Sequence, residues 1–95
     1  MTVDGKVTEV SGEGDLITDI TADQLRGSSR DSAARILIDG EHETFGIYES
    51  PEGHPAMTLL AIQQGEDPLR LHLVGDSAAA MLGIRAGASV RVSCG

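Results

Sequence analysis

Short segments in which apolar and polar residues alternate, separated by turn residues, constrain the fold of this chain more than any other feature. In "RILIDG", Ile36 and Ile38 share one face, and in "LRLHLV" Leu71 and Leu73 do the same. A period of two places successive side chains on opposite faces of a strand. Seven segments read as strands: residues 3–11, 16–20, 34–40, 43–50, 56–63, 69–74 and 88–94. The chain is therefore expected to fold mainly as β-structure.

Two segments interrupt this alternation. Thr21 suits the N-cap of a single helical turn, or of a structured loop, that stops at Gly27. Further on, Asp76 or Ser77 suits the cap of a short alanine-rich helix that ends at Gly83. The second segment predicts one short helix near the C-terminus.

Length and spacing together indicate one small domain. Ninety-five residues are enough for a single hydrophobic core, and no internal repeat is evident. The polar stretch "SSRDS", Ser28–Ser32, is the most linker-like part of the chain. Short strands at this spacing predict an all-β domain over residues 1–95, with six to seven mostly antiparallel strands in a small closed barrel or a sandwich.

The charge balance argues against two classes of partner. The chain has 7 Lys and Arg against 15 Asp and Glu, a formal net charge of −8. Phosphate backbones and anionic lipid surfaces attract basic patches, so neither nucleic acid nor a membrane is an expected partner. Phe45 and Tyr48 are the only aromatic residues, which leaves no platform on which a base could stack.

The expected setting is reduced and cytoplasmic. Cys94 is the only cysteine, so no internal disulfide can form, and we expect an inert thiol. The stretch "MTVDGKVTEV" lacks the basic and apolar regions of a secretory leader. No apolar run approaches membrane-spanning length.

No metal site is predicted from the spacing of the candidate ligands. Asp15 and Asp19 lie four residues apart, which along a strand is roughly 13 Å, too far to share one ion. The three histidines have no zinc-type spacing. His72 is expected on the outer or inter-strand side of its strand, with a proton-transfer or interface role as the alternative.

Nucleotide binding and nucleophilic catalysis also lack a supporting pattern. The "GEG" of residues 12–14 has no following lysine or helix to complete a phosphate loop, and Glu13 would repel phosphate. Ser77 in "GDS" has no visible histidine and acid to activate it. We predict no catalytic residue.

Two stretches resemble one known family. "GKVTEVSGEGDLITDI", residues 5–20, resembles the opening of the C-terminal domain of the S-adenosylmethionine hydroxide adenosyltransferase family, which fluorinase and chlorinase share. There, a G-x-V strand precedes a motif of the type D-x-F-G-N-L-I-T-N-I. "LHLVGDSAAAMLGIRAGASVRV", residues 71–92, is similar to the family's I-A-V-N-x-G-x-A-A-x-L-L-G stretch. The resemblance spans almost the whole chain and is weaker in the middle.

The resemblance implies a Greek-key barrel of about seven strands and a place in a larger site. Family members split S-adenosylmethionine at the ribose 5′ carbon with hydroxide or halide. This domain supplies part of their adenine and methionine pocket, against an N-terminal domain of a neighbouring subunit in a trimer. That N-terminal domain has no counterpart in these 95 residues. The ligand-binding positions implied here are Asp15, Thr18, Asp19 and Val74.

The departures from the family pattern concern its ligand contacts. Glu13 stands where the family has an aromatic residue, and Asp15 and Asp19 stand where it has Asn. An ionised Asp only accepts hydrogen bonds, whereas Asn also donates them. Val74 replaces the late Asn of the second stretch. The retained positions are fold residues: Gly14, Leu16, Thr18, Ile20, Ala78, Ala79, Leu82 and Gly83.

The functional expectation is a non-catalytic stand-alone module that acts through self-association, as a trimer by resemblance, or through a protein partner. The alternative is binding of adenosine or S-adenosylmethionine as one half of a two-protein site. An independent enzyme ranks last, because no acid, base and nucleophile are visibly aligned.

Overall fold

The described part of the chain, residues 2–25 and 34–93 of the computed structural model, forms eight strands and two short helices. In chain order the elements are β1 (Thr2–Val10), β2 (Leu16–Thr18), α1 (Ala22–Leu25), β3 (Arg35–Ile38), β4 (His42–Phe45), β5 (Ile47–Tyr48), β6 (Leu59–Ile62), β7 (Arg70–Leu73), α2 (Ala78–Leu82) and β8 (Ser89–Ser93). The expectation of a mainly β domain is confirmed. The structure has more strands than the predicted six to seven and one helix more than predicted. Gly27, Ser28–Ser32 and Cys94 lie outside the described residues.

All eight strands belong to one sheet, ordered β4-β3-β8-β1-β2-β7-β6-β5, that curls into a nearly closed barrel. Every pairing is antiparallel except that of β5 with β6. β4 and β5 are the two edge strands of this sheet and are consecutive in the chain, so the short link between them brings the edges together. Across the remaining gap, Thr44 Oγ1 donates to the carbonyl of Leu59 at 2.8 Å.

A bend at Gly46 divides the single strand expected over residues 43–50 into β4 and β5. Gly46 has φ +86°, a conformation that L side chains rarely adopt. Unbroken alternation over residues 43–50 would place Phe45 and Ile47 on one face, but Phe45 is 50% exposed and Ile47 only 2%. The expectation failed because strict alternation assumes an unbent strand.

The core fills the barrel with aliphatic side chains, as the alternation predicts. Ile36 and Ile38 of β3 are fully buried, and so are Leu69 and Leu71 on the β7 side. Other core residues include Val7, Leu16, Ile20, Ile47, Ala61, Leu73, Val90 and Val92. The strands therefore present their remaining side chains on the outer face.

The β1–β2 hairpin contains a bulge that redirects one side chain. Val7 pairs with Thr18 and Glu9 pairs with Ile17, so Thr8 has no partner of its own on β2. A bulge of this kind inserts one residue and shifts the alternation beyond it. Glu9 consequently lies on the outer face beside Ile17.

Both helices carry the N-caps that the sequence suggests. In α1, Gln24 N donates to Thr21 Oγ1 while Thr21 N donates to Gln24 Oε1, a reciprocal capping arrangement. In α2, Ser77 accepts from Ala80 N, and Gly83 is the left-handed C-cap. The sequence allows either a helical turn or a structured loop at α1, and the structure has a helix of four residues there. No helix in the described ranges is long and apolar enough to span a membrane.

α2 packs against one end of the barrel, which we call the α2 end. It is the end at which β1 and β7 finish, and it comprises the β1–β2 turn, residues 56–58 and α2. Ala79 N donates to the carbonyl of Gly14 in that turn at 2.9 Å. Met57 N donates to the carbonyl of Val74 at 2.7 Å. These bonds link the β1–β2 turn to α2, and residues 56–58 to the end of β7, although these segments are distant in sequence.

Candidate functional site

A buried carboxylate stands on the outer face between β2 and β7. Leu16 pairs with Leu71, so the preceding residue, Asp15, lies beside His72. Asp15 Oδ1 is 2.7 Å from His72 Nδ1, and Asp15 Oδ2 is 3.6 Å from a guanidinium nitrogen of Arg70. The Asp15 side chain is only 3% exposed. We call these three residues the Asp15 cluster.

The Asp15 cluster fixes the orientation of the imidazole. A carboxylate can only accept, so the proton of a neutral His72 must sit on Nδ1. His72 is therefore the inter-strand residue that the alternation indicates. The pairing joins residues 57 positions apart in sequence, and only the β2–β7 register could have revealed it.

Thr18 and Asp19, at the other end of β2, are bonded to neighbouring backbone. Thr18 Oγ1 donates to the carbonyl of Leu69 at 2.6 Å. Asp19 Oδ1 accepts from Lys6 N at 2.8 Å. Both side chains thereby fasten β2 to its surroundings.

Val74 lies just beyond β7, and its backbone is bonded to residues 57 and 58. Of the four positions implied by the family resemblance, the structure places Asp15 and Val74 towards the α2 end. Thr18 and Asp19 are placed towards the opposite end of β2. Asp15, Thr18 and Asp19 each use a polar side-chain atom within the chain.

An open cleft of about 300 Å³ lies next to the Asp15 cluster, and we call it the outer cleft. Ile17 and Ile62 form its floor, and Glu9 stands on the β1 side. The opposite wall is the loop between β6 and β7, represented by Asp67 and Pro68. Arg70 connects the two features, because it lines the outer cleft and pairs with Asp15. Two lining residues are linked to positions selected from the sequence: Ile17 precedes Thr18, and Arg70 pairs with Asp15.

Exposed apolar side chains are concentrated at the α2 end. In the described ranges, Val10, Met57 and Met81 are at least 40% exposed, and all three belong to this end. Met57 has φ 68°, an uncommon conformation for a residue other than glycine. The other large exposed apolar residue is Phe45. It shares a register row with Thr2, at the opposite end of β1.

Within residues 2–25 and 34–93, no group of three or more His, Cys, Asp or Glu side chains is placed to hold an ion. Asp15 is buried whereas Asp19 is exposed, so these two carboxylates do not share one environment.

Comparison with known proteins defines the class of fold. No protein-family model matches the chain. No curated protein matches it either. Among solved structures, it is similar to an uncharacterized conserved protein from Thermotoga maritima, with a TM-score of 0.77 and 18% identity over 95% of this chain and 35% of that one. A conserved hypothetical protein from Thermus thermophilus gives a TM-score of 0.68 and 20% identity, over 95% of this chain and 32% of that one.

The chain thus spans about a third of the length of these two proteins. At identities this low, the structural similarity shows a shared fold alone. The class is a small β-barrel domain whose fold also occurs within longer chains.

Proposed function

We propose that this chain is a non-catalytic β-barrel module that acts by self-association through the α2 end. The observation that carries the proposal is the placement of Val10, Met57 and Met81, three exposed apolar side chains, at that end. Burying apolar surface is the main favourable contribution to most protein association. Grouped exposed apolar side chains are typical of interaction sites.

The absence of an assembled reactive group supports a non-catalytic role. Asp15, Thr18 and Asp19 each bond within the chain, and Ser77 Oγ accepts from Ala80 N as a helix cap. Nucleophilic catalysis needs a nucleophile within hydrogen-bond reach of a base. In the described part of the chain, the Thr18 and Ser77 hydroxyls are bonded to backbone groups, and His72 is bonded to Asp15.

The family resemblance suggests the form of the assembly. Its two stretches meet at the α2 end, where Ala79 N donates to the Gly14 carbonyl. Both anchors of the resemblance thus take part in the surface that we assign to self-association. We propose a domain of the adenosyltransferase C-terminal type that forms a trimer in a cytoplasmic setting.

Met81→Glu is expected to weaken self-association by at least about tenfold, because a charge would be buried in the interface. Light scattering after size-exclusion chromatography measures the mass of the particles. Phe45→Glu is the matched control, since it makes the same type of change at the opposite end. If both variants lose the oligomer equally, or if neither loses it, the α2 end is ruled out as the interface.

A second candidate function is binding of adenosine or S-adenosylmethionine as half of a two-protein site. The position of the outer cleft favours it, because Arg70 links that cleft to Asp15. An open cleft of about 300 Å³ is at the lower limit of small-molecule sites. Asp15 already has two partners, so a nucleoside would have to use other groups or displace them.

Calorimetric titration with adenosine and with S-adenosylmethionine tests this second function. Ligand at 100-fold its dissociation constant would stabilise the domain by about 2.7 kcal/mol, which is several degrees of melting temperature. Ile17→Glu, in the floor of the outer cleft, is expected to remove binding. Leu37→Glu, at a half-buried strand position elsewhere on the barrel, is the control. No heat and no thermal shift up to millimolar ligand would exclude the second function.

A further inference from the structure

We propose that the outer cleft is a binding site for an alkyl cation, meaning an aliphatic stem that ends in an ammonium or guanidinium group. The site is independent of the α2 end and of self-association. A lysine or arginine side chain of a partner and a free polyamine share this chemistry.

The rim of the outer cleft supplies negative charge from two separate elements. Glu9 belongs to β1 and Asp67 to the loop between β6 and β7. Neither carboxylate forms an ion pair with another residue of the described ranges. A cationic head at either carboxylate would gain charge-assisted hydrogen bonds.

The bulge in β1 is what places Glu9 on this rim. With unbroken alternation from the buried Val7, Glu9 would point to the core side. Because Thr8 is the inserted residue, Glu9 faces outward opposite Ile17 instead. Bulges commonly redirect side chains at the edges of functional sites.

The floor of the outer cleft suits a hydrocarbon stem. Ile17 is half-buried and offers apolar surface at the base of the cleft, which the almost completely buried Ile62 also lines. Lysine and arginine typically lay their methylene stems along apolar surface while the charged head stays near water. An inorganic cation would make no use of this floor.

The far wall of the outer cleft is held in place from within. Gln63 is buried, and its Nε2 donates to the carbonyls of Gly65 at 2.8 Å and Asp67 at 3.1 Å. Asp67 N also donates to the carbonyl of Gln64. These bonds fix the loop that carries the Asp67 carboxylate, so the cleft is formed before a ligand arrives.

Among the described residues of the cleft lining, Arg70 is the only basic one, and its charge is compensated. Its guanidinium lies 3.6 Å from the buried carboxylate of Asp15. Two rim carboxylates therefore remain as the net charge of the lining. The whole chain adds a formal charge of −8, which favours the approach of cations and opposes anions.

The test is an amide chemical-shift titration of the full chain with three probes. N-acetyl-arginine N-methylamide represents a side chain, putrescine represents a free polyamine, and N-acetyl-glutamine N-methylamide is the neutral control. We expect saturable shifts at Glu9, Ile17 and Asp67 for at least one cationic probe and none for the neutral one. The probe with the lower dissociation constant indicates whether the ligand is a partner's side chain or a free polyamine.

A double variant tests whether the rim carboxylates bind the cation. Glu9→Gln with Asp67→Asn is expected to weaken binding by about fivefold, given the usual strength of exposed charge pairs. Asp39→Asn with Glu41→Gln removes the same charge at the β3–β4 turn and should leave binding unchanged. The proposal is overturned if neither cation saturates, if the shifts map elsewhere, or if both double variants bind equally. The same spectra show that each variant is folded.

Discussion

Gly14→Ala is expected to lower the free energy of unfolding by about 4 kcal/mol, the sum of a left-handed backbone and severe overpacking. Gly14 has φ +91° and is buried against the start of α2. A Cβ there would lie 2.5 Å from Ser77 Cβ and 2.8 Å from Ser77 Cα. Because one of these is a backbone atom, rotation of a side chain cannot relieve the clash.

Gly83→Ala is the matched control for that prediction. Gly83 also has positive φ, +68°, but an added Cβ would meet nothing within 4 Å. Gly83→Ala is therefore expected to lower the free energy of unfolding by about 1 kcal/mol, the cost of the left-handed backbone alone. Urea denaturation measures both variants, and hydrogen exchange at Ala79 reports whether α2 has left the β1–β2 turn. Equal losses in the two variants would contradict the proposed packing of Gly14 against Ser77.

His72→Leu is expected to lower the free energy of unfolding by about 3 kcal/mol, because it leaves a buried carboxylate without its closest partner. Asp15 would keep only the guanidinium of Arg70, at 3.6 Å. In an Asp15→Asn background the same change should cost about 1 kcal/mol, since no buried charge remains. The expected coupling energy is therefore about 2 kcal/mol.

A double-mutant cycle with urea denaturation measures this coupling. Asp15→Asn alone is expected to be mild, because the amide oxygen still accepts from His72 Nδ1. Arg91→Leu, which removes one partner of the exposed pair with Asp4, is the control and should leave stability almost unchanged. A coupling energy near zero would mean that His72 does not stabilise Asp15.

Periodicity predicted the parts of this fold that depend on local sequence. The alternation around Ile36 and Ile38 identified β3, and the cap at Ser77 and the stop at Gly83 identified α2. These features follow from which residues a strand face or a helix end requires. The sequence pattern was sufficient because no distant residue had to be known.

Features that depend on pairing between strands could not be predicted in this way. The bulge at Thr8 and the bend at Gly46 each break alternation. The bulge has no distinct local signature, and a glycine within a strand permits a bend without requiring one. The Asp15–His72 pair requires the β2–β7 register. A site built across strands therefore becomes visible only with the sheet.

The outer cleft illustrates the same point for function. Glu9, Ile17 and Asp67 come from β1, β2 and a loop that are separated along the chain. The binding positions implied by the family resemblance are Asp15, Thr18 and Asp19 of one hairpin, and Val74. The structure shows Asp15, Thr18 and Asp19 engaged by neighbouring groups and an open cleft beside them.

Sedimentation equilibrium of the unaltered chain over a wide range of concentrations tests the central claim most directly. Self-association through the α2 end predicts an average mass that rises with concentration towards a whole multiple of the single chain, three by the family resemblance. A mass that stays at one chain up to millimolar concentration would contradict the proposed function.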